Sequence, residues 1–280
     1  MNITISGASG FIGRHLTKSL AEAGHSMRAL SRHAPPAESL READAIVHLA
    51  GEPVAQRWTA EARRRIRESR VAGTRNLVAA LAALPRRPEA LICASAIGYY
   101  GSRGDEILTE SSAPGSGFLP EVCVAWEREA QAAEAFGMRV VRVRTGVVLD
   151  AGGGALVRML PPFRMGLGGR LGSGRQWMSW IHLEDLAALF QFAVESQVRG
   201  PLNAVSPNPV TNLDFTRELA RTLGRPAMFP VPGFALRLLF GEMADVLLAS
   251  QRVMPAAAEA AGFRFRFPQL APALEGLLPH

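Results

Sequence analysis

Gly7-Ala8-Ser9-Gly10-Phe11-Ile12-Gly13, close to the amino terminus, is the stretch whose residue types and spacing point most directly to chemistry. It follows a short apolar run and opens a helical pattern. Glycines at these places let the backbone turn tightly, approach a diphosphate closely and pack a helix against a strand. The free N–H groups at the start of the helix would meet the charge of such an anion. A lone glycine pattern also serves as a plain strand-to-helix turn; its place after the first strand of an alternating series is what points to a dinucleotide. Ser9, Phe11 and Ile12 in the turn, with Leu49, Ala50, Gly51 and Glu52 after a later apolar run, complete the expected coenzyme site. The second apolar run ends Ala29-Leu30-Ser31-Arg32-His33, with no acid before Glu38. An acid there would bind a ribose 2′-hydroxyl, whereas Ser31 and the bidentate fork of Arg32 suit a 2′-phosphate. The expected coenzyme is therefore NADP(H) rather than NAD(H). A solvated surface arginine is the other reading of Arg32.

Hydroxyl and ring chemistry gathers further along. Ser95 ends an apolar run and either orients a substrate carbonyl or hydroxyl or simply closes a strand. Tyr99 and Tyr100, the only tyrosines, lie on the loop that follows, and either is a candidate acid/base group. Cys123 is a candidate proton donor or redox-sensitive thiol, against the alternative of inert buried packing. Arg175, Trp177, Trp180 and His182 follow a glycine-rich turn, where aromatics can stack on a ring and arginine can hold a phosphate. The alternative for His182 is a polar cap on the helix that begins at Leu183.

These residues need a framework. The chain has 280 residues, 48% of them hydrophobic, enough for a large core or for a main domain with a small partner. Short apolar runs alternate with helical patterns through the first half: 2–6, 12–23, 26–31, 45–49, 60–84 and 90–94, with further runs at 139–143 and 200–205. That alternation predicts the α/β class, a Rossmann-type doubly wound parallel sheet, over residues 1–205, with a long ligand-side loop at 151–180. The connection from Arg32 to Asp44 is too short for a helix plus a strand, so the third strand of the order 3-2-1-4-5-6 is expected to be missing. A smaller substrate lobe, partly built from the loops before it, is expected over 206–280, where Phe263, Phe265 and Phe267 alternate with arginines as in a half-buried strand.

The net charge is +6, but the densest basic run, Arg63-Arg64-Arg65-Ile66-Arg67, is flanked by Glu61 and Glu68 and reads as a solvated helix face. Nucleic acid is therefore not an expected partner; an anionic small molecule explains the basic balance equally well. Two cysteines give neither a disulfide framework nor a metal cluster, and no apolar stretch reaches membrane-span length. With no leader-like start, a cytoplasmic location, no membrane, no metal and a possible homo-oligomer are the expectations.

Several segments together resemble the extended short-chain dehydrogenase/reductases, and more narrowly the epimerase-like proteins that carry a C-terminal domain of unknown function. Besides the glycine turn these are 44–53 (DAIVHLAGEP), 69–77 (SRVAGTRNL), 95–101 (SAIGYYG), 118–127 (FLPEVCVAWE), 144–149 (RTGVVL) and 172–182 (GSGRQWMSWIH), with 230–253 and 261–274 in the last lobe. The resemblance implies a Rossmann-type domain with NADP(H) on the N-terminal half and hydride transfer on a small polar, nucleotide-sugar-like substrate. Superfamily enzymes pair a Ser or Thr with a Tyr-x-x-x-Lys helix, whose cation favours the phenolate. This chain departs from that: matching Glu127 to the family's helix glutamate puts Leu119 at the tyrosine position and Cys123 at the lysine position, and the only lysine is Lys18. The departure leaves a second expectation open, a non-catalytic NADP(H)-binding sensor.

Overall fold

The computed structural model describes residues 1–30 and 40–278. Its centre is a parallel sheet of six strands: β1 (Asn2–Ser6), β2 (Ser26–Leu30), β3 (Ala45–His48), β4 (Ala90–Ala96), β5 (Arg139–Thr145) and β6 (Gly200–Ala204). Their order is β6-β5-β4-β3-β1-β2, every neighbouring pair being parallel. Chain order reverses between β1 and β3, which makes their carboxyl ends the switch point where open α/β sheets bind ligands. Among the described residues no strand lies outside β2, as the short connection after it predicts.

Ten helices are described: α1 (Phe11–Glu22), α2 (Ala60–Ala82), α3 (Phe118–Gln131), α4 (Gly154–Arg164), α5 (Leu183–Glu195), α6 (Asn212–Leu223), α7 (Gly233–Phe240), α8 (Ala244–Leu248), α9 (Ala256–Ala260) and α10 (Leu270–Leu277). Alternate residues of each strand feed opposite faces of the sheet. Ile3, Ile5, Val47, Ile92 and Val141 pack on one side with Leu16 and Leu20 of α1 and Leu186 and Phe190 of α5. Ile46, Leu91 and Val140 pack on the other with Leu77 and Leu81 of α2 and Trp126 of α3. With both faces covered, the strands carry near-continuous apolar runs, the pattern of a doubly wound sheet. No helix among the described residues is long and apolar enough to cross a membrane.

The second lobe is not confined to residues after 205. Leu149, Leu156, Leu160, Phe163 and Trp180 share one core with Phe215 and Leu219 of α6 and Leu270 and Leu274 of α10. Short ladders bind the same parts together: 147–150 with 180–182, and 177–178 with 210–211. The predicted strand at Phe263–Phe267 is a correction. The phenylalanines do turn inward while Arg264 and Arg266 are exposed, but the segment joins no ladder. Its amides are satisfied by a side chain instead: Arg266 and Phe267 N–H donate to the two carboxylate oxygens of Asp185, at 2.8 and 2.9 Å. A buried carboxylate on α5 thus replaces a neighbouring strand.

Candidate active site

Gly7 adopts φ 77°, and a Cβ there would lie 2.9 Å from the Ala50 nitrogen. A Cβ on Gly13 would lie 2.2 Å from the Gly7 carbonyl oxygen. The first glycine makes the turn against the loop after β3; the last lets α1 sit directly on it. Gly10 caps α1 with extended backbone and no side-chain hydrogen bond, and the first turn holds no acid. In contrast, Thr59, Thr211 and His182 cap α2, α6 and α5 with their side chains. Among the described residues no side chain caps the amides that open α1, and Ser9, Gly10, Phe11 and Ile12 beside them are partly or fully exposed, an arrangement that fits a diphosphate. Ser31 and Arg32 lie outside the described residues.

Buried polar residues fix the neighbouring loop. His48, at the end of β3, bonds Ser6 Oγ through Nδ1 at 2.5 Å and Thr74 Oγ1 through Nε2 at 3.0 Å. Burial lowers its pKa to about 4, so this ring is neutral at physiological pH. Ser6 Oγ in turn accepts from the Ala50 amide at 3.4 Å. Leu49, Ala50 and Gly51 are left partly or fully exposed at the ligand edge. Glu52 directs its carboxylate elsewhere, to Gln56 and Arg65, and the Gln56 hydrogen bond is the main cause that holds its pKa low.

One strand further along, the sequence-selected groups part company. Ser95, Arg144 and Asn203 face one another in register across β4, β5 and β6. The Ser95 hydroxyl donates to Glu127 Oε1 at 2.7 Å, and Arg144 grips both oxygens of the same carboxylate at 2.8 Å each. Arg144 Nη1 also donates to the Tyr100 hydroxyl at 2.9 Å, which itself donates to Asn203 Oδ1 at 2.7 Å. Burial opposes the charge of Arg144, but the hydrogen bonds and charge of Glu127 raise its pKa further. Ser95 and Tyr100 are 4% and 0% exposed, so both belong to this closed network. Burial pushes the Tyr100 phenol up to about 12.

Tyr99 differs. It is partly exposed, its ring lies beneath Arg144 with the guanidinium carbon 3.5 Å from the centroid, and its hydroxyl bonds no described residue. Position 98, just before it, looks onto α3, where an added Cβ would meet the Leu119 side chain at 3.4 Å and Cys123 Sγ at 3.8 Å. Cys123 is buried, and desolvation pushes its thiol up to about 12, the state of a packing residue. Phe118 carries Trp58 edge-on at 5.1 Å and the Arg63 guanidinium at 5.2 Å, forming an aromatic wall beside Leu119.

The four residues selected after the glycine-rich turn separate as well. Trp180 is fully buried and donates to the Asn208 carbonyl, and His182 accepts from the Glu184 amide as the cap of α5 while stacking on Phe267 at 3.9 Å. Trp180 thus packs in the second core, and His182 takes the capping role that was the alternative reading of it. Trp177 is partly exposed, bonded to Asp105 and overlaid by Arg252, and Arg175 is exposed. Sequence reasoning missed Arg144, whose signal was a charge near the end of the valine-rich run Arg139–Thr145 in a strand buried on both faces.

The family follows from comparison. A model described as the NAD dependent epimerase/dehydratase family matches residues 3–205, and a domain of unknown function, DUF1731, matches 231–277. The chain belongs to this epimerase/dehydratase family. An epimerase family protein of Mycobacterium bovis is 42% identical over 290 residues, spanning 97% of this chain and 96% of its own. The crystal structure of the human epimerase family protein SDR39U1 with NADPH superposes with a TM-score of 0.93 at 34% identity, covering 99% of both chains. MoeE5 in complex with UDP-glucuronic acid and NAD shares the fold, with a TM-score of 0.81 at 21% identity over 99% of this chain and 98% of that one. In family terms, the glycine turn lies within the epimerase segment, and α7 to α10 make up most of the DUF1731 segment.

Proposed function

We propose that this family member binds NADP(H) across the glycine turn and acts as an oxidoreductase or epimerase-like enzyme on a small polar, nucleotide-sugar-like substrate. One observation carries the reading: the uncapped start of α1, packed against Gly7 without a side chain between them and open to solvent. The NADPH held by the human relative supports the coenzyme, and Ser31 with Arg32 supports the phosphorylated form. When bound, the nicotinamide gives or takes hydride. The chain's part is to hold the substrate between the Trp58–Phe118 wall and the loop after β4. It also moves one proton at the substrate oxygen. Tyr99 is the group for that proton, because Ser95 and Tyr100 are closed inside the Glu127–Arg144 network. Leu119 leaves the standard tyrosine position apolar.

The test is single-turnover oxidation of NADPH against a panel of aldehydes, ketones and keto sugars. Turnover with one of them, and its fall by about 10²-fold or more in Tyr99→Phe with NADPH affinity retained, is the expected result. A Tyr99→Phe enzyme as fast as wild type overturns the assignment. The closed network also favours a second reading, a non-catalytic NADP(H) sensor, which predicts tight binding and no turnover on any substrate.

A further inference from the structure

Helix α7 is apolar in every turn, yet of its residues only Leu236 is buried; Phe234, Leu238 and Leu239 are 75%, 77% and 63% exposed. A helix apolar on all faces belongs inside a core. Phe234 and Leu238, one turn apart, lie opposite Leu236, so what is bare is a face rather than a frayed end. The hairpin that α7 forms with α8 is held from beneath. Met243 and Ala244 are buried, Glu242 pairs with Arg63, and a Cβ added to Gly233 would meet Leu248 at 3.4 Å. The bare face continues into the chain before it, where Met228 and Phe229 are exposed. Their segment runs beside another: the Phe229 N–H donates to the Gly168 carbonyl and the Val231 N–H to the Arg170 carbonyl. Met165 and Leu167, at the head of that neighbour, are exposed as well. At about 150–250 Å² for a large side chain, the exposed fractions of these seven residues leave roughly 900 Å² of apolar surface, beyond the 300–600 Å² or so of the largest patch on an ordinary monomer.

Area and charge say what covers it. A stable pair of proteins buries about 800 Å² on each partner, and homodimer interfaces are the more apolar ones. An anionic membrane surface would instead call for a polar face rich in free cations. Helix α7 carries one cation, Arg237, which Asp245 of α8 pairs at 3.2 Å, and Glu242 between them is a second acid. That exposed pair of opposite signs is self-complementary, since a two-fold axis can set Arg237 of one copy against Asp245 of the other. We propose that α7, with the segments 165–167 and 228–229 beside it, is the interface of a symmetric homodimer in which Phe234 and Leu238 of each copy pack on the same face of the other.

Sedimentation velocity of the full chain over a series of concentrations tests this with wild type, Phe234→Glu, Leu238→Glu and Val124→Glu, the last on the exposed side of α3. Wild type is expected to sediment at twice the 30.1 kDa mass of the chain. Either carboxylate on α7 would be buried twice per dimer without a counter-ion, so each should weaken the pair by about 100-fold or more while the circular dichroism stays that of a folded chain. Val124→Glu should leave the dimer intact. Should one α7 variant fail to fold, the other decides. Wild type that stays monomeric at every concentration overturns the proposal, and so does a dimer that the α7 carboxylates leave intact or that Val124→Glu breaks in their place. Flotation with phosphatidylserine–phosphatidylcholine vesicles is the remaining arm. Monomeric wild type that floats with them, and is released by Leu238→Glu, would assign α7 to a membrane surface and refute the dimer.

Discussion

Tyr99 and Tyr100 are adjacent and chemically identical, yet the fold gives them opposite conditions. Tyr100 is sealed between Arg144 and Asn203, whereas the Tyr99 hydroxyl bonds no described residue. Sequence order cannot separate them, because the difference comes from a register, Ser95 beside Arg144 beside Asn203, that only strand pairing creates. His48 yields a prediction at the same scale. Its folded pKa of about 4 lies below the ordinary 6.5, so the unfolded chain binds its proton more readily. Its contribution to stability is full above pH 6.5 and is lost as pH falls toward 4, a span worth roughly 3 kcal/mol. Urea midpoints at pH 7, 5.5 and 4.5 should fall accordingly, and His48→Gln should flatten that slope; an unaltered slope contradicts the assignment. For Arg32→Ala, titrations should show NADPH affinity falling about tenfold or more with NADH little changed. Equal losses for both coenzymes would remove the 2′-phosphate contact.

Elements were legible where one signal sufficed. The glycine turn, the alternating strands and helices and the early end of the sheet at β2 follow from spacing, and the structure follows them closely. The phenylalanine alternation at 263–267 was read correctly for burial and wrongly for pairing, since period two reports which side faces the core but not what accepts the backbone bonds. Trp180 was selected by residue type alone and lies in the second core, and of the two readings of His182 the structure displays the helix cap. Helix α3 is tied to β5 through Glu127, whose charge lies 4% exposed against Arg144. Glu127→Gln keeps the shape but leaves the guanidinium uncompensated, so denaturant midpoints should register about 3–5 kcal/mol of lost stability. A loss under about 1 kcal/mol would mean that the pair does not hold the loop after β4.

At the scale of the molecule, the two lobes interlock across the site. Arg63 of α2 pairs with Glu242 just beyond α7, and Arg158 of α4 donates to the Ala55 carbonyl at 2.7 Å. The loop at 52–59 and the helix after it are therefore each tied to the second lobe. The second core draws on both sides of residue 205, with five of its twelve described buried residues coming from 147–182. Long-range contacts of this kind leave no periodic trace in the chain. The proposed function rests on coenzyme binding at the start of α1, and Gly10→Asp tests it most directly. Position 10 has φ −71° and ψ 173°, which aspartate adopts readily as a helix cap, so the fold should keep its thermal midpoint while a carboxylate occupies the place of the diphosphate. Calorimetric titration with NADPH should give tight binding to wild type and a loss of about 100-fold or more in Gly10→Asp. Undiminished affinity in the folded variant would contradict the account.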